Sequence, residues 1–327
     1  MSDATQGAQP AVTFDGVGKA FDDEWVLEDL SFSVPRGSII GLIGPSGSGK
    51  TTTVRLMTGA YRPDAGTVDV LGADPVARRR HDRSMIGYLP QQPVLFDELS
   101  LWENLNFHAS LNGVGLRRKR RLLDVLELVE LDGHRKKLVR ESSGGMQRRL
   151  ALASTLVHAP NLVMLDEPTA GIDPILRRRF WEHFRALSDA GDTLVISTQF
   201  VDEATHCDTV GLLADGRLVA VGAPDELRRQ AHGGDLIDVE YTRIVGSDDL
   251  RSCRDIAGVQ RADYHGDATV RLVVDPDSDA RSRVFDSLVT TDPDISGAVE
   301  IAPDWDDVFI RLVESDTAEP TPGQVAS

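Results

Sequence analysis

One stretch, residues 44–52, most constrains what this 327-residue chain can fold into. It reads Gly-Pro-Ser-Gly-Ser-Gly-Lys-Thr-Thr and has the form G-x-x-x-x-G-K-[ST], the pattern of a phosphate-binding loop. The apolar segment 38–43 before it predicts a buried strand, and the segment 52–57 after it predicts the start of a helix. In that context, backbone N–H groups and the helix N-terminus favour a bound anion. The stretch therefore predicts nucleotide binding, without saying which nucleotide is bound.

Two side chains of this stretch are candidates for direct contact with a nucleotide. Lys50 can reach the β- and γ-phosphates, and the hydroxyl of Thr51 can hold Mg²⁺. We expect the other positions to hold phosphate mainly through the backbone: Gly44, Pro45, Ser46, Gly47, Ser48, Gly49 and Thr52.

Composition limits the class of protein. A length of 327 residues suggests about two domains, and contents of 41% hydrophobic and 27% charged residues are typical of a soluble globular protein. No apolar run approaches the roughly 18 residues needed to span a bilayer, and the N-terminus does not resemble an export signal. These features predict a cytosolic protein. The net charge of -17 argues against nucleic acid as the main partner.

Strand-like and helix-like segments alternate along residues 11–232. Apolar runs at 39–43, 162–165 and 193–197 predict strands, and helical spacing lies between the last two. This alternation favours an α/β fold, with a mostly parallel sheet covered by helices around a P-loop NTPase core. Residues 98–155, which are rich in Leu, Arg and Glu, predict an inserted helical subdomain.

The amino-terminal part of this domain predicts only short strands. Residues 12–14 and 30–34 have strand-like composition. Between them, residues 21–25 read Phe-Asp-Asp-Glu-Trp, which we interpret as an acidic loop that carries two aromatic side chains.

A second unit is predicted over residues 233–314. Its elements follow in the order β-α-β-β-α-β, which is typical of a ferredoxin-like α+β domain, and a last helix is predicted at about residues 304–313. We expect this domain to serve dimerisation or regulation. Residues 1–10 and 315–327 have no apolar cluster and predict disordered tails.

Two carboxylates follow the predicted strand at 162–165. In open α/β sheets, ligands bind at the carboxyl ends of the strands. Asp166 is therefore a candidate to hold Mg²⁺, and Glu167 is a candidate general base for an attacking water. A strand that simply ends in acidic residues is the other interpretation, and the phosphate loop favours the functional one.

A second candidate anion site lies at Ser143, Gly144 and Gly145, which precede a segment with apolar residues on one helical face. A Ser-Gly-Gly turn at a helix N-terminus offers free N–H groups and a hydroxyl. The same residues also suit a plain capped helix, and these residues alone do not decide between the two.

The order of the motifs along the chain decides the matter. They are the phosphate loop, Tyr-Leu-Pro-Gln at 88–91, Ser-Ser-Gly-Gly-Met at 142–146, Leu-Asp-Glu-Pro at 165–168, Ala-Gly-Ile-Asp-Pro at 170–174 and Ser-Thr-Gln at 197–199. This order closely resembles the ATP-binding subunits of ABC transporters over about residues 11–230. The resemblance implies ATP as the nucleotide and Mg²⁺ as the metal.

The resemblance also implies a role for each motif. The phosphate loop is Walker A, Gln91 is the glutamine of the Q-loop, Asp166 is the Walker B aspartate, Glu167 is the catalytic base, and Asp173 lies in the D-loop. Thr51, Gln91 and Asp166 are implied around the metal, and Gln91, Glu167 and Gln199 around the attacking water. Phe21 matches the aromatic residue that stacks on adenine, with Trp25 as the alternative, and Ser143, Gly144 and Gly145 meet the γ-phosphate of ATP on a second subunit.

Two departures from the family pattern refine the resemblance. The family signature L-S-G-G-Q reads Ser-Ser-Gly-Gly-Met at 142–146, from which we expect altered affinity without loss of function. Gln199 stands where most members have a histidine. The glutamine and the closing segment 303–312 are similar to the daunorubicin-resistance type of drug exporter.

The resemblance implies an ATP-hydrolysing subunit that acts as a dimer on a separately encoded membrane permease, at the inner face of the membrane. It further implies export of a multidrug or lipid-like substrate. Two other functions stay open. One is a soluble ABC ATPase acting on another macromolecule, although this chain has one cassette and no long heptad insertion. The other is a regulatory module that binds ATP with little turnover, although Glu167 is present.

Overall fold

The computed structural model describes residues 9–78, 82–92, 94–276, 278–291 and 293–318. The chain divides into two compact units. The first ends at Val221, and the second begins at Gly222. The predicted disorder of residues 1–8 and 319–327 falls outside the described residues.

The first unit contains the elements of the predicted α/β domain. Its strands are β1 Val12–Phe21, β2 Glu24–Val34, β3 Ile39–Ile43, β4 Ala65–Val70, β5 Ile86–Leu89, β6 Leu162–Asp166, β7 Thr193–Thr198, β8 Thr209–Ala214 and β9 Arg217–Gly222. Its helices are α1 Lys50–Met57, α2 Leu101–Leu111, α3 Lys119–Leu128, α4 Gly144–Leu156 and α5 Pro174–Asp189.

A six-stranded sheet in the order β5-β6-β7-β3-β8-β9 forms the centre of this unit. The pairs β5–β6, β6–β7, β3–β7 and β3–β8 are parallel. Strands β3, β6 and β7 are buried along their whole length. Strands covered on both faces need unbroken apolar runs, which is why the sequence marked these three clearly. The P-loop NTPase fold predicted from the sequence is confirmed.

A second, three-stranded antiparallel sheet has the order β2-β1-β4. The prediction of an acidic loop over residues 21–25 is wrong, since β1 runs to Phe21 and β2 begins at Glu24. Asp22 and Asp23 alone form the turn, at φ 48° and 66°. Aspartate tolerates this left-handed conformation better than most residues, and two such residues in succession give the tight turn of a two-residue hairpin.

Helices α2, α3 and α4 occupy the segment predicted as a helical subdomain. Ser100 caps α2 in a reciprocal arrangement, because its Oγ accepts from the N–H of Glu103 while the Glu103 carboxylate accepts from the N–H of Ser100. The apolar faces of α3 and α4 are buried at Leu122, Leu126 and Leu150.

The second unit has the predicted ferredoxin-like arrangement. Its elements are α6 Pro224–His232, β10 Asp235–Tyr241, α7 Ser247–Arg254, β11 Val259–Tyr264, β12 Thr269–Val274, α8 Ser278–Thr291, β13 Ile295–Ile301 and α9 Trp305–Ala318. The sheet has the order β11-β12-β10-β13, and its pairs are antiparallel. Its core includes Ile237, Val239, Leu272, Val284 and Leu288.

Both ends of this unit differ from the sequence-based boundaries. Helix α6 lies before the predicted boundary at residue 233 but packs on α9, with Leu227 buried and the Arg228 guanidinium 4.9 Å from the centre of the Trp305 ring. At the other end, α9 runs to Ala318, so residues 315–318 are helical and the prediction of disorder is wrong for them. Sequence periodicity does not show that two separated helices pack together, which explains the misplaced boundary.

In the part of the chain that the structure describes, no helix is both long enough and apolar enough to cross a bilayer.

Candidate nucleotide-binding site

The loop between β3 and α1 has the backbone that a phosphate cradle requires. Gly47 and Gly49 have φ of 85° and 101°, in the left-handed region that favours glycine. At Gly44 the constraint is space, since a Cβ there would lie 2.1 Å from the carbonyl oxygen of Leu213. The loop then enters α1 at Lys50, where the N–H groups of the first turn have no partner within the helix.

Lys50 is 4% exposed, and its ammonium is directed back into the loop. Its Nζ donates to the carbonyl oxygens of Gly44, at 2.7 Å, and Pro45, at 2.8 Å. Burial lowers the pKa of Lys50, while the carboxylates of Glu167 and Asp166 act in the opposite direction. A single cation is thus held among the backbone groups that would surround a phosphate.

Asp166, at the end of β6, is fully buried beside the start of α1. Its Oδ1 accepts from the hydroxyl of Thr51, at 3.2 Å, and from the hydroxyl of Ser197. Its Oδ2 has no hydrogen-bond partner among the described residues. A buried carboxylate oxygen without a donor, next to a threonine hydroxyl, matches the oxygen ligands that Mg²⁺ prefers. These residues therefore fit the metal implied by the sequence.

Glu167 follows directly, with φ of 52°, and turns away from the strand. Its N–H is shared between the carbonyl oxygen of Ser197, at 3.0 Å, and the Ser197 hydroxyl, at 3.2 Å. The side-chain amide of Gln91 donates to Glu167 Oε2 at 3.4 Å. The candidate base and the candidate Q-loop glutamine therefore lie together.

Gln199 lies at the same edge of the sheet, as the pairing of the preceding strand β7 with its neighbours shows. Strand β7 pairs Ser197 with Asp166 and Thr198 with Ile43, and Gln199 comes next. The N–H of Gly44 donates to the carbonyl oxygen of Thr198 at 3.4 Å. The carboxyl ends of β3, β6 and β7 thus bring the phosphate loop, the two carboxylates and the exposed Gln199 to one edge.

Phe21 ends β1 and is 37% exposed, which leaves part of its ring available for stacking. Its ring meets Tyr61 edge-on at a centroid distance of 5.2 Å, and the Lys19 ammonium lies 5.1 Å from its centre. Trp25, the alternative, is 50% exposed but covers Gly18, since a Cβ on that glycine would lie 2.7 Å from the indole.

Ser143 and Asp173 act as helix caps. Ser143 Oγ accepts from the N–H of Met146 at 3.3 Å, and Asp173 Oδ1 accepts from the first turn of α5 at 3.0 and 3.1 Å. Gly144 and Gly145 are exposed, and a Cβ on either would meet no atom within 4 Å. None of the hydrogen bonds that these residues make within the described ranges joins them to the phosphate loop.

Met146, in place of the family glutamine, is 9% exposed. Its sulfur lies 3.9 Å from the Lys137 ammonium, so a weak acceptor occupies the interior position of the turn.

Sequence reasoning missed two residues of this site. Ser197 bonds both carboxylate-bearing residues, and its signal was a hydroxyl at the end of a buried strand. Arg148 reaches the carbonyl oxygens of Gln91, Asp166 and Glu167 from α4. It had no signal of its own, because it lies beside Arg149 in a run of polar residues.

The chain is similar to known proteins over most of its length. The family model described as ABC transporter matches residues 27–170. Daunorubicin resistance ATP-binding protein DrrA3 of Streptomyces coeruleorubidus is 41% identical over 234 residues, which cover 71% of this chain and 74% of that protein. Nod factor export ATP-binding protein I of Burkholderia orbicola (strain AU 1054) is 37% identical over 269 residues, 81% of this chain and 87% of that protein.

Among solved structures, one described as the ATP binding subunit of an ABC transporter superposes with a TM-score of 0.63 at 29% identity. The match covers 67% of this chain and 92% of that chain. The resemblance to daunorubicin-resistance ATP-binding proteins found in the sequence is confirmed. From its fold, its phosphate loop and these relatives, the chain belongs to the ABC transporter family, as one of the ATPases of that family.

Proposed function

We propose that this chain is the ATPase subunit of an exporter and that it drives a membrane permease carried on a separate polypeptide. The observation that carries the proposal is the convergence of Lys50, Asp166, Glu167 and Gln91 at one edge of the parallel sheet. Two relatives support export, because their names refer to drug resistance and to Nod factor export. The cargo we propose is drug-like or lipid-like.

The chemistry follows from the groups at that edge. Lys50 binds the β- and γ-phosphates. Glu167 accepts the proton of the attacking water while the water oxygen bonds to the γ-phosphorus and the bond from that phosphorus to the bridging oxygen breaks, so that ADP leaves. Gln199 donates to the γ-phosphate through its side-chain N–H₂. Thr51, Asp166 and Gln91 would hold Mg²⁺, which neutralises the charge that develops on the phosphate oxygens.

We further propose that two copies enclose two ATP molecules head to tail. The turn Ser143-Gly144-Gly145 is exposed and lacks contact with the phosphate loop of its own chain in the described ranges. Its free N–H groups lie at the start of a 13-residue helix and suit an anion brought by another molecule. In a two-fold pair, each turn closes on the γ-phosphate held by the other copy.

The permease has a candidate contact surface next to Gln91. A cavity of about 400 Å³ lies there, lined by β5 and by helices α2 and α4. Exposed apolar side chains occur on the segment that follows Gln91 and on α2, with Val94 71% and Phe107 42% exposed. An apolar segment of the permease fits this surface. Binding there would hold the ATPase at the inner face of the membrane.

Mixing two defective chains tests the head-to-tail arrangement. Lys50→Ala removes the phosphate-binding charge, and Ser143→Arg blocks the turn, so each variant alone should hydrolyse ATP poorly. A mixed dimer contains one complete site, made from Lys50 of one copy and Ser143 of the other. With random pairing and independent sites, an equimolar mixture should recover about a quarter of the wild-type turnover. A mixture that stays as inactive as its components, while the Ser143→Arg chain still binds ATP, contradicts the arrangement.

A further inference from the structure

Arg148 connects three motifs of the site through its guanidinium. It lies in α4, whose N-terminal turn is Ser143-Gly144-Gly145. Its Nη1 donates to the carbonyl oxygen of Gln91 at 3.3 Å, and its Nη2 donates to the carbonyl oxygens of Asp166, at 3.3 Å, and Glu167. One side chain of the helical subdomain thus bonds the Q-loop and the end of β6 together.

These contacts require a guanidinium. The group is planar and carries donors in a fixed fork, so it can bond carbonyls of two chain segments at once, whereas a lysine ammonium cannot reproduce that geometry. All three acceptors are backbone oxygens, so the contacts act on the course of the chain and not on the carboxylates. Burial lowers the pKa of Arg148, while the charges of Glu167 and Asp166 act in the opposite direction.

Both backbone groups of Glu167, its N–H and its carbonyl oxygen, make hydrogen bonds to side chains. Its N–H donates to Ser197, and its carbonyl oxygen accepts from Arg148. Its backbone has φ of 52°, a conformation that a residue with a side chain adopts only where its surroundings impose it. With both peptide groups bonded, the direction in which the carboxylate leaves the backbone depends on Arg148.

We propose that Arg148 is a positioning residue. It orients Glu167 and Gln91, and their orientation depends on the position of the N-terminus of α4. A displacement of α4 moves the guanidinium, and with it the peptide that carries the proposed base. Hydrolysis by the Glu167 of one copy then depends on whether the Ser143-Gly144-Gly145 turn of that same copy has closed on the ATP held by the other copy. This inference rests on the proposed role of Glu167.

Arg149 provides a matched control. It is the next residue of the same helix, but its Nη1 donates to the carbonyl oxygen of Val129 at 3.1 Å and lies 3.8 Å from a carboxylate oxygen of Glu130. Its contacts therefore stay within the helical subdomain. Substitution of Arg149 therefore shows the effect of losing an arginine from α4 while Arg148 still bonds the backbone carbonyls of the site.

The experiment compares Arg148→Ala, Arg148→Lys and Arg149→Ala in the full-length chain. Thermal unfolding, equilibrium binding of ATP, and kcat and KM for phosphate release are measured for each. Both Arg148 variants should lower kcat about tenfold or more, the scale of a misplaced catalytic group, with KM changed less than about threefold. Arg149→Ala should keep kcat within about twofold of wild type. Arg148→Lys keeps charge and length, so it serves if Arg148→Ala does not fold.

A second comparison separates this inference from the role of Glu167. In single-turnover assays, Arg148→Ala should add no further loss in a Glu167→Gln background, because the group that it positions is gone. An equal loss in both backgrounds overturns the inference, and so does wild-type kcat in both Arg148 variants. Wild-type turnover by Glu167→Gln alone would instead refute the proposed base.

Discussion

At the scale of single residues, Gln199 is one of the two places where the resemblance implies a departure from the family pattern. A glutamine amide can donate to a phosphate oxygen and accept from water, as a histidine can. It cannot take up a proton between pH 5 and 8, whereas histidine can. Since Gln199 follows Thr198 at the edge shared with Gly44, we expect it to be a working substitute.

The prediction for Gln199 uses two substitutions. Gln199→Ala should lower turnover on the order of 10²-fold or more, the scale for losing a donor to a transition state. Gln199→His should retain activity and add a titration near pH 6–7 to the pH–rate profile. ATPase rates measured against pH for both variants check this. If Gln199→Ala turns over like wild type, Gln199 takes no part in hydrolysis.

Several residues of the site could be predicted from the sequence because short motifs carry them. Lys50, Asp166 and Glu167 stand at fixed places relative to glycines and apolar runs. Ser197 offered only a hydroxyl at the end of a buried strand, and Arg148 offered no signal, because their roles depend on which segments the fold brings together. Arg148 lies 57 residues from Gln91 and 19 from Glu167 in the chain, and no local pattern links them.

At the scale of elements, the buried strands were predictable and the hairpin of the antiparallel sheet was not. Strands β3, β6 and β7 are apolar throughout because both of their faces are covered. Strands β1 and β2 carry polar residues toward Asp22 and Asp23, so their composition concealed a tight turn. The sequence predicts a loop over residues 21–25, because nothing in the sequence distinguishes aspartates with a positive φ, such as Asp22 and Asp23, from other acidic residues.

Between β5, α2 and α4, two half-buried histidines line the cavity beside the Q-loop. Burial lowers the pKa of His108 and of His158, and for His158 the nearby Arg121 and His108 add to the effect. The Nε2 of His108 and the Nδ1 of His158 have no hydrogen-bond partner in the described part of the chain. When either ring takes up a proton in the folded state, these nitrogens therefore have no hydrogen bond to offset the cost of burying the charge.

From these shifts we predict an acid-sensitive fold. The folded pKa of each ring lies below the ordinary 6.5, so the unfolded chain binds more protons as pH falls through 6.5, and stability decreases. Well above that pH the two rings have no effect, because both states are neutral there. The midpoint of thermal unfolding should drop between pH 7 and 5, and less steeply in a His108→Gln, His158→Gln double variant.

His134→Gln is the control for this prediction, because His134 is exposed and does not line the cavity. Should the double variant lose stability with acid as steeply as the wild type does, the two histidines are not the source of the effect.

At the scale of the whole molecule, the order of elements predicted the α+β unit, but packing set its limits. Helix α6, where Leu227 is buried, packs on α9 and β10 and so belongs to the second unit, which begins at Gly222. We predict that a chain ending at Val221 folds and binds ATP, because the phosphate loop and both carboxylates lie before that point. A chain ending at residue 234 keeps α6 without α9 and should be less soluble.

Size-exclusion chromatography and equilibrium ATP binding of the two truncated chains check this. We expect the shorter one to show weaker self-association or slower turnover than the full chain, in line with the pairing or regulatory role proposed for the second unit. A folded 1–221 chain that binds no ATP would contradict the division of roles.

The most direct measurement for the central claim is ATP turnover by Glu167→Gln. The amide cannot accept a proton from water, so phosphate release should fall about 10²- to 10⁴-fold, the range for general acid–base catalysis. Binding should persist, because Lys50 and the phosphate loop are unchanged, and ATP should then trap a stable dimer visible by size-exclusion chromatography. Phosphate release at the wild-type rate from the purified variant would show that the base lies elsewhere.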